Sequence, residues 1–243
     1  MNAIGFERKK GIWGLLALAV FLFLTSGCQW WKTENTTNIY QTVMEKNTLF
    51  FDDFDLTKTD LRNVWLQNGK GHWAWANGWL MQNSEDSRAL NTIMYVSTPQ
   101  FSNGIIEVKA RMNYDKSVDP TKEELNNLRK FIGAGIVFRM VDDNNYYMFR
   151  LAGEEGAVLG KMVNNEWIDL ANPRGLDFMG GARILPGTWY TLKVKVIGPV
   201  IQCFINESPI IHITDSDSPF TVGRFGVCTF KCFADFDYID VWS

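Results

Sequence analysis

Short apolar runs, many of them alternating with polar residues, recur along most of this 243-residue chain. A period of two residues is typical of β-strands that bury one face. Turn-forming pairs such as Asn77-Gly78 and Gly198-Pro199 separate several of the runs. Many short strands at such spacing predict one all-β domain, a sandwich or a barrel, from Leu49 to Ser243. The predicted strands are Leu49–Phe54, Gly71–Trp75, Trp79–Asn83, Thr92–Val96, Gly104–Met112, Ile132–Met140, Tyr146–Ala152, Ala157–Val163, Trp167–Ala171, Trp189–Ile197, Val200–Asn206, Gly223–Phe230 and Asp235–Trp242.

Only one stretch of this region predicts a helix, the polar segment from Asp119 to Lys130. Asp119 or Thr121 can cap its start, and Pro120 suits a first helical turn. Glu124 completes a capping box with Thr121. We therefore expect one short helix inserted between two strands.

The segment 133–151 predicts a hairpin with one arginine on each strand. A four-residue loop at 142–145 places six large apolar residues of the two strands on one face, as the two-residue period requires. A loop of three or five residues would instead bury Arg139 without a partner, at a cost of several kcal/mol. The apolar face predicted in this way contains Ile136, Phe138, Met140, Tyr147, Phe149 and Leu151.

The same register gives the hairpin a second face. Its predicted members are Val137, Arg139, Tyr146, Met148 and Arg150. Guanidinium groups and a phenol on one sheet face can hydrogen-bond a hydroxyl-rich ligand. Alternatively, this is a solvated outer face whose arginines pair with carboxylates such as Glu107. The sequence leaves both interpretations open.

The first residues predict export. A basic patch precedes an apolar run from Ile12 to Leu24, which is too short to span a bilayer comfortably and is typical of a secretory signal. The run ends in Leu24-Thr25-Ser26-Gly27-Cys28, which resembles the lipobox of bacterial lipoproteins. The resemblance implies a signal peptide at 1–27, lipidation of Cys28 and anchoring to a membrane of the cell envelope. An uncleaved anchor or a plain signal peptide is the alternative. Residues 28–48 then form the lipidated cysteine and a polar tether.

Charge and cysteine content narrow the choice of partners. The net charge of the chain is −3, and without the predicted signal peptide and its basic patch 21 Lys and Arg residues remain against 26 Asp and Glu residues, so we expect no nucleic-acid partner. Cys228 and Cys232 lie about 13 Å apart if they share an extended strand, too far to bridge. A disulfide would therefore join Cys203 to one of them, and three buried thiols are the alternative.

Four segments together resemble the laminin G-like, concanavalin A-like lectin/glucanase superfamily. They are the hairpin GIVFRMVDDNNYYMFRL, HWAWANGWLMQN, LPGTWYTLKVKVIGPVIQCFINESPI and GRFGVCTFKCFADFDYIDVW. The similarity is closest to bacterial domains found in carbohydrate-binding modules and in the 3-keto-disaccharide hydrolase group, and it covers residues 49–243. It implies a jelly roll, a sandwich of two curved antiparallel sheets, whose concave sheet binds a glycan.

The resemblance also implies roles for single residues. Trp73, Trp75 and Leu80 correspond to inward positions, whereas Trp79 follows the turn as an exposed ring on which a sugar can stack. The predicted ligand-binding residues are Arg139, Tyr146, Met148, Arg150 and Trp79. The segments FDDFD and DFDYIDVW resemble edge strands that hold a structural calcium ion, with Asp237 as a ligand and Asp53 or backbone carbonyls as its partners. Solvated turn carboxylates are the alternative for these two aspartates.

The resemblance implies that a glucanase would carry a Glu-x-Asp-x-x-Glu strand, whose carboxylates supply the nucleophile and the general acid, and the sequence lacks that run of residues. The adjacent pairs Glu85-Asp86 and Glu154-Glu155 would point to opposite faces of a strand. The sequence therefore predicts a non-catalytic carbohydrate-binding lipoprotein. A structural calcium ion is the one cofactor that we expect. A hydrolase of the 3-keto-disaccharide type and an envelope adaptor that binds another protein are the alternatives.

Overall fold

The computed structural model of the protein describes residues 46–68, 71–83, 92–113, 132–153, 156–175 and 179–243. The regular elements of these residues are strands and short 3₁₀ turns, and none of the described helical turns is long and apolar enough to cross a membrane. The strands are β1 (Thr48–Asp52), β2 (Trp65–Asn68), β3 (Trp73–Ala76), β4 (Trp79–Gln82), β5 (Thr92–Phe101), β6 (Gly104–Asn113), β7 (Gly133–Asp142), β8 (Asn145–Leu151), β9 (Ala157–Val163), β10 (Glu166–Ala171), β11 (Trp189–Ile197), β12 (Val200–Ile205), β13 (Ser208–Thr214), β14 (Gly223–Phe230) and β15 (Phe233–Trp242).

These strands form two antiparallel sheets. The eight-stranded sheet has the order β13-β12-β11-β6-β15-β4-β3, and β1 pairs with the end of β15. The seven-stranded sheet has the order β10-β9-β8-β7-β14-β5-β2. Neighbours such as β6 and β15 are distant in sequence, which is the connectivity of a jelly roll rather than of a meander. The all-β, two-sheet sandwich is therefore confirmed.

The core lies between the two sheets and follows the alternation of the strands. In β6, Ile106, Val108 and Ala110 are fully buried, whereas Glu107 and Lys109 face outward. Burial of each large apolar side chain contributes about 1.5–3 kcal/mol. The residues of the β3–β4 hairpin that we expected to point inward are buried in this core or packed against it: Trp73, Trp75 and Leu80.

Some predictions differ from the structure or lie beyond it. The sequence pattern did not predict β2 and β13, which are both edge strands with few buried residues. The predicted helix at 119–130 lies outside the described residues. The predicted signal peptide and Cys28 also lie outside them, as does the tether up to residue 45.

The hairpin of β7 and β8 has a different register from the predicted one. Asp142 pairs with Asn145 across a two-residue turn, so the predicted four-residue loop is wrong. Further along, Phe138 pairs with Tyr147, which leaves residues 139–141 opposite a single residue of β8. This is a β-bulge, and its first residue has a φ of 47°, which is uncommon for any residue except glycine.

The bulge reverses the orientation of two side chains. Arg139 points toward the loops at one end of the sandwich, and Met140 packs on the outer face of the seven-stranded sheet. The prediction that Arg139 and Arg150 share a face is therefore wrong. The other members of the predicted apolar face are confirmed in the main core: Ile136, Phe138, Tyr147, Phe149 and Leu151.

Candidate functional site

Arg139 is a buried structural residue. It is 1% exposed, and its Nε donates to the Ser102 carbonyl at 2.8 Å. Its Nη1 donates to the carbonyls of Gly198 and Phe220, both at 2.8 Å, and its Nη2 donates to Asn103 Oδ1 at 3.2 Å. The guanidinium is therefore engaged with the protein itself and is not available to a ligand.

The three predicted ligand residues of β8 do share the outer face of the seven-stranded sheet. Tyr146 and Met148 are only 3% and 1% exposed there, so a ligand cannot reach them in this structure. Arg150 is partly exposed, and its guanidinium carbon lies 4.5 Å from the centre of the Phe230 ring. Burial lowers the pKa of Arg150. Of these three residues, only Arg150 can donate to a bound molecule.

An exposed tryptophan lies on the same outer face, at the edge strand β10. The Trp167 side chain is 37% exposed and covers Gly160 of the neighbouring strand. A Cβ at Gly160 would lie 2.3 Å from the indole Cζ2, so the indole can lie there only because this position is glycine. Trp167 Nε1 donates to Asp169 Oδ1 at 2.6 Å, which fixes the ring. The sequence analysis did not single out Trp167 and Asp169, although both lie at alternating positions of the predicted strand Trp167–Ala171.

Trp79 lies on the opposite side of the molecule, on the outer face of the eight-stranded sheet. Its ring centre is 5.5 Å from that of Trp189, the first residue of β11. The predicted ligand residues are therefore divided among two outer faces and the interior, and they do not form one site.

Asp53 and Asp237 each bind a lysine. The Lys58 ammonium lies 2.7 Å from Asp53 Oδ2, and the Lys109 ammonium lies 2.8 Å from Asp237 Oδ2. Within the described ranges, no group of three or more His, Cys, Asp or Glu residues could hold a metal ion. Both carboxylates are engaged with lysines, and the calcium site stays a prediction.

The three described cysteines are buried and unpaired. Cys203 and Cys232 lie in the core between the sheets, whereas Cys228 packs on the outer face of the seven-stranded sheet. Burial raises the pKa of the Cys228 and Cys232 thiols to about 12. The structure therefore has the arrangement with three buried thiols rather than a disulfide.

The outer face of β8 carries no carboxylate: Tyr146, Met148 and Arg150 occupy its positions. On the opposite sheet, Glu107 accepts from Tyr238 Oη at 2.8 Å and lies 3.0 Å from the Lys193 ammonium. Acid–base hydrolysis of a glycoside needs two carboxyl groups that flank the bond.

No model of a known protein family matches the sequence, and a search among curated proteins finds no relative. Several solved structures are similar to the fold. The carbohydrate-binding module CBM66 from Bacillus subtilis has a TM-score of 0.59 at 18% identity, with 74% of this chain and 96% of that chain covered. A β-glucanase from Bacillus licheniformis has a TM-score of 0.54 at 9% identity, with 81% and 98% covered.

A third similar structure contains ligands. LamA from Z. galactanivorans, in complex with laminaritriose and laminaritetraose, has a TM-score of 0.51 at 9% identity, with 81% of this chain and 99% of that chain covered. At such identities the likeness shows the fold alone. The chain has the concanavalin A-like jelly-roll fold, the class that the sequence resemblance implied.

Proposed function

We propose that this protein is a non-catalytic carbohydrate-binding lipoprotein, held at the cell envelope through Cys28, that binds a glycan on the outer face of its seven-stranded sheet. The observation that carries the proposal is the exposed Trp167 indole, which covers Gly160 and is fixed by Asp169. An aromatic ring held in this way presents an apolar surface to the CH groups of a sugar ring.

Polar groups beside the indole complete the proposed site. Asp169 is exposed, and its second carboxylate oxygen can accept from a sugar hydroxyl. Arg150 lies two strands away from the edge strand, a separation of about 10 Å at the usual strand spacing. A carboxylate and a guanidinium at this separation can hydrogen-bond successive parts of an oligosaccharide.

The similar structures support a glycan as the ligand. They include a carbohydrate-binding module and a protein that binds laminaritriose and laminaritetraose. They also include a glucanase, so hydrolysis is the competing function. We favour binding because the outer face of β8 lacks the paired carboxylates that hydrolysis of that type requires.

The binding proposal is tested by affinity electrophoresis of the mature chain through gels that contain neutral polysaccharides, with laminarin first. Trp167→Ala should weaken the retardation at least tenfold, and Trp167→Phe should retain part of it. Leu185→Ala, which removes an exposed apolar side chain elsewhere, is the matched control and should bind as the wild type does. Undiminished binding by Trp167→Ala would exclude this site.

Two further measurements check the remaining parts of the proposal. Release of new reducing ends from the polysaccharide, at a rate proportional to protein concentration, would show that the protein is an enzyme.

For the anchor, Cys28→Ser should move the full-length protein from the membrane fraction to the soluble fraction. Retention of that variant in membranes would contradict anchoring through a lipidated cysteine.

A further inference from the structure

Two tryptophans lie side by side on the outer face of the eight-stranded sheet. Trp79 begins β4 and Trp189 begins β11, and their ring planes are inclined by 66° with the centres 5.5 Å apart. Both side chains are partly exposed. We call this pair the tryptophan platform.

An ion pair of Arg111 and Asp235 contacts both rings of the platform. The guanidinium carbon of Arg111 lies 4.7 Å from the ring centre of Trp79 and 4.5 Å from that of Trp189. Arg111 Nη2 and Nε donate to Asp235 Oδ2 at 2.6 and 3.0 Å, and Asn113 Nδ2 donates to the same oxygen at 2.7 Å. These contacts hold the cation, and a cation at this distance attracts the faces of both rings. The rings are therefore ordered before any ligand arrives.

A second ion pair lies next to the platform and is more open to solvent. The Lys109 ammonium is 2.8 Å from Asp237 Oδ2 and 5.5 Å from the Trp189 ring centre. The two side chains are 37% and 31% exposed. A bulge in β15 between Phe236 and Tyr238 places Asp237 at this point. Ammonium and carboxylate groups together can donate to and accept from sugar hydroxyls.

The charges of this surface indicate what kind of ligand would fit. Arg111 is neutralised by Asp235, and Lys109 by Asp237, so the surface offers aromatic area and hydrogen bonds without net charge. An anionic or cationic ligand would gain little there, whereas a neutral sugar offers CH groups for the rings and hydroxyls for the ion pair.

We infer that the tryptophan platform is a second carbohydrate-binding site, which takes neutral sugar rings stacked on Trp79 and Trp189 and hydrogen-bonded by Lys109 and Asp237. It lies on the opposite outer face from the site proposed above. A protein with both sites would bind glycan chains on two sides and could cross-link them, with a gain in avidity.

The test uses the mature chain in two assays, affinity electrophoresis on laminarin gels and calorimetric titration with laminaritetraose. The double variant Trp79→Ala/Trp189→Ala should lose at least tenfold in affinity on the gels, and the stoichiometry should fall from two ligands to one. Asp237→Asn and Lys109→Met, which leave both rings in place, should weaken the binding in the same direction. Thermal unfolding of each variant checks that it is folded.

Phe51→Ala is the matched control, because Phe51 is an exposed aromatic residue on a strand of the same sheet. It should bind as the wild type does. Trp167→Ala should remove only the site on the other sheet, so the failure of one site can be told from the failure of the other. The inference is overturned if the platform variants bind like the wild type, if Phe51→Ala loses as much, or if the wild type binds no neutral polysaccharide. Lower thermal stability with unchanged binding also overturns it, since the rings would then serve only packing.

Discussion

Arg139 joins loops that come from distant parts of the chain. Its guanidinium donates to carbonyls of the β5–β6 turn, the β11–β12 turn and the β13–β14 connection. The pKa of Arg139 is lowered by burial, which disfavours the charged form, and its hydrogen bonds compensate for the lost water. This side chain therefore organises one end of the sandwich.

We expect Arg139→Met to lower the free energy of unfolding by about 3 kcal/mol, because it leaves several carbonyls without a donor. Urea denaturation followed by circular dichroism measures the change. Arg62→Met is the control, since Arg62 is an exposed arginine paired with Asp60, and its midpoint should stay close to that of the wild type. Equal midpoints for the two variants would contradict the structural role of Arg139.

The residue scale also explains why the sequence misled at this position. Alternation along β7 predicts Arg139 on a surface, and it would be there in a regular strand. The bulge adds residues to one strand only, so the period of two is lost at residue 139. The partners of the guanidinium come from loops more than 30 residues away, which no local pattern reveals.

At the scale of elements, the success of prediction follows burial. β6 and β11 lie inside a sheet and alternate strictly between buried and outward residues, so the two-residue period identifies them. β2 and β13 lie at sheet edges, where few side chains are buried and the period is weak. Turn chemistry was informative: Asn77 and Gly78 both have positive φ angles, as a two-residue hairpin turn of this type requires.

The β3–β4 turn gives a prediction about backbone conformation. Gly78 has a φ of 74°, and a Cβ added there would meet no atom within 4 Å. Gly78→Ala should therefore lower the free energy of unfolding by about 1 kcal/mol through backbone strain alone. Gly78→Asn should cost less, because asparagine tolerates this conformation better. Thermal denaturation compares the two variants, and an equal or larger loss for asparagine would contradict this explanation.

At the scale of the whole molecule, the assignment of strands to sheets decides where the site residues lie. Trp79 and Tyr146 each begin a predicted strand and face outward. Their strands, β4 and β8, belong to different sheets. The pairing of strands that are distant in sequence decides which sheet each strand joins. The local pattern of apolar and polar residues does not reveal this pairing. The fold class was predictable because the segments in their order resemble a known superfamily. Which residues would share one binding face was not predictable from the sequence.

A buried polar cluster joins the β13–β14 connection to the seven-stranded sheet. Tyr147 Oη donates to Asp215 Oδ2 at 2.5 Å, and the Lys161 ammonium lies 2.9 Å from the same carboxylate. The Tyr147 ring is fully buried and stacks on Phe138. Burial, and then the hydrogen bond to Asp215, raise the pKa of Tyr147 above its ordinary value of 10.0.

This shift predicts how stability depends on pH. Above pH 10 the unfolded chain loses the Tyr147 proton while the folded protein keeps it, so the unfolded state binds fewer protons and stability falls as pH rises. The contribution is complete below pH 10 and declines above it by up to about 1.4 kcal/mol per pH unit. Tyr147→Phe should be less stable than the wild type at pH 7, because it loses the hydrogen bond to Asp215. The gap should narrow between pH 10 and 11.5, since all other ionisable groups are the same in both proteins. Urea denaturation across this range measures the gap, and a constant difference would mean that the phenol does not remain protonated in the folded protein.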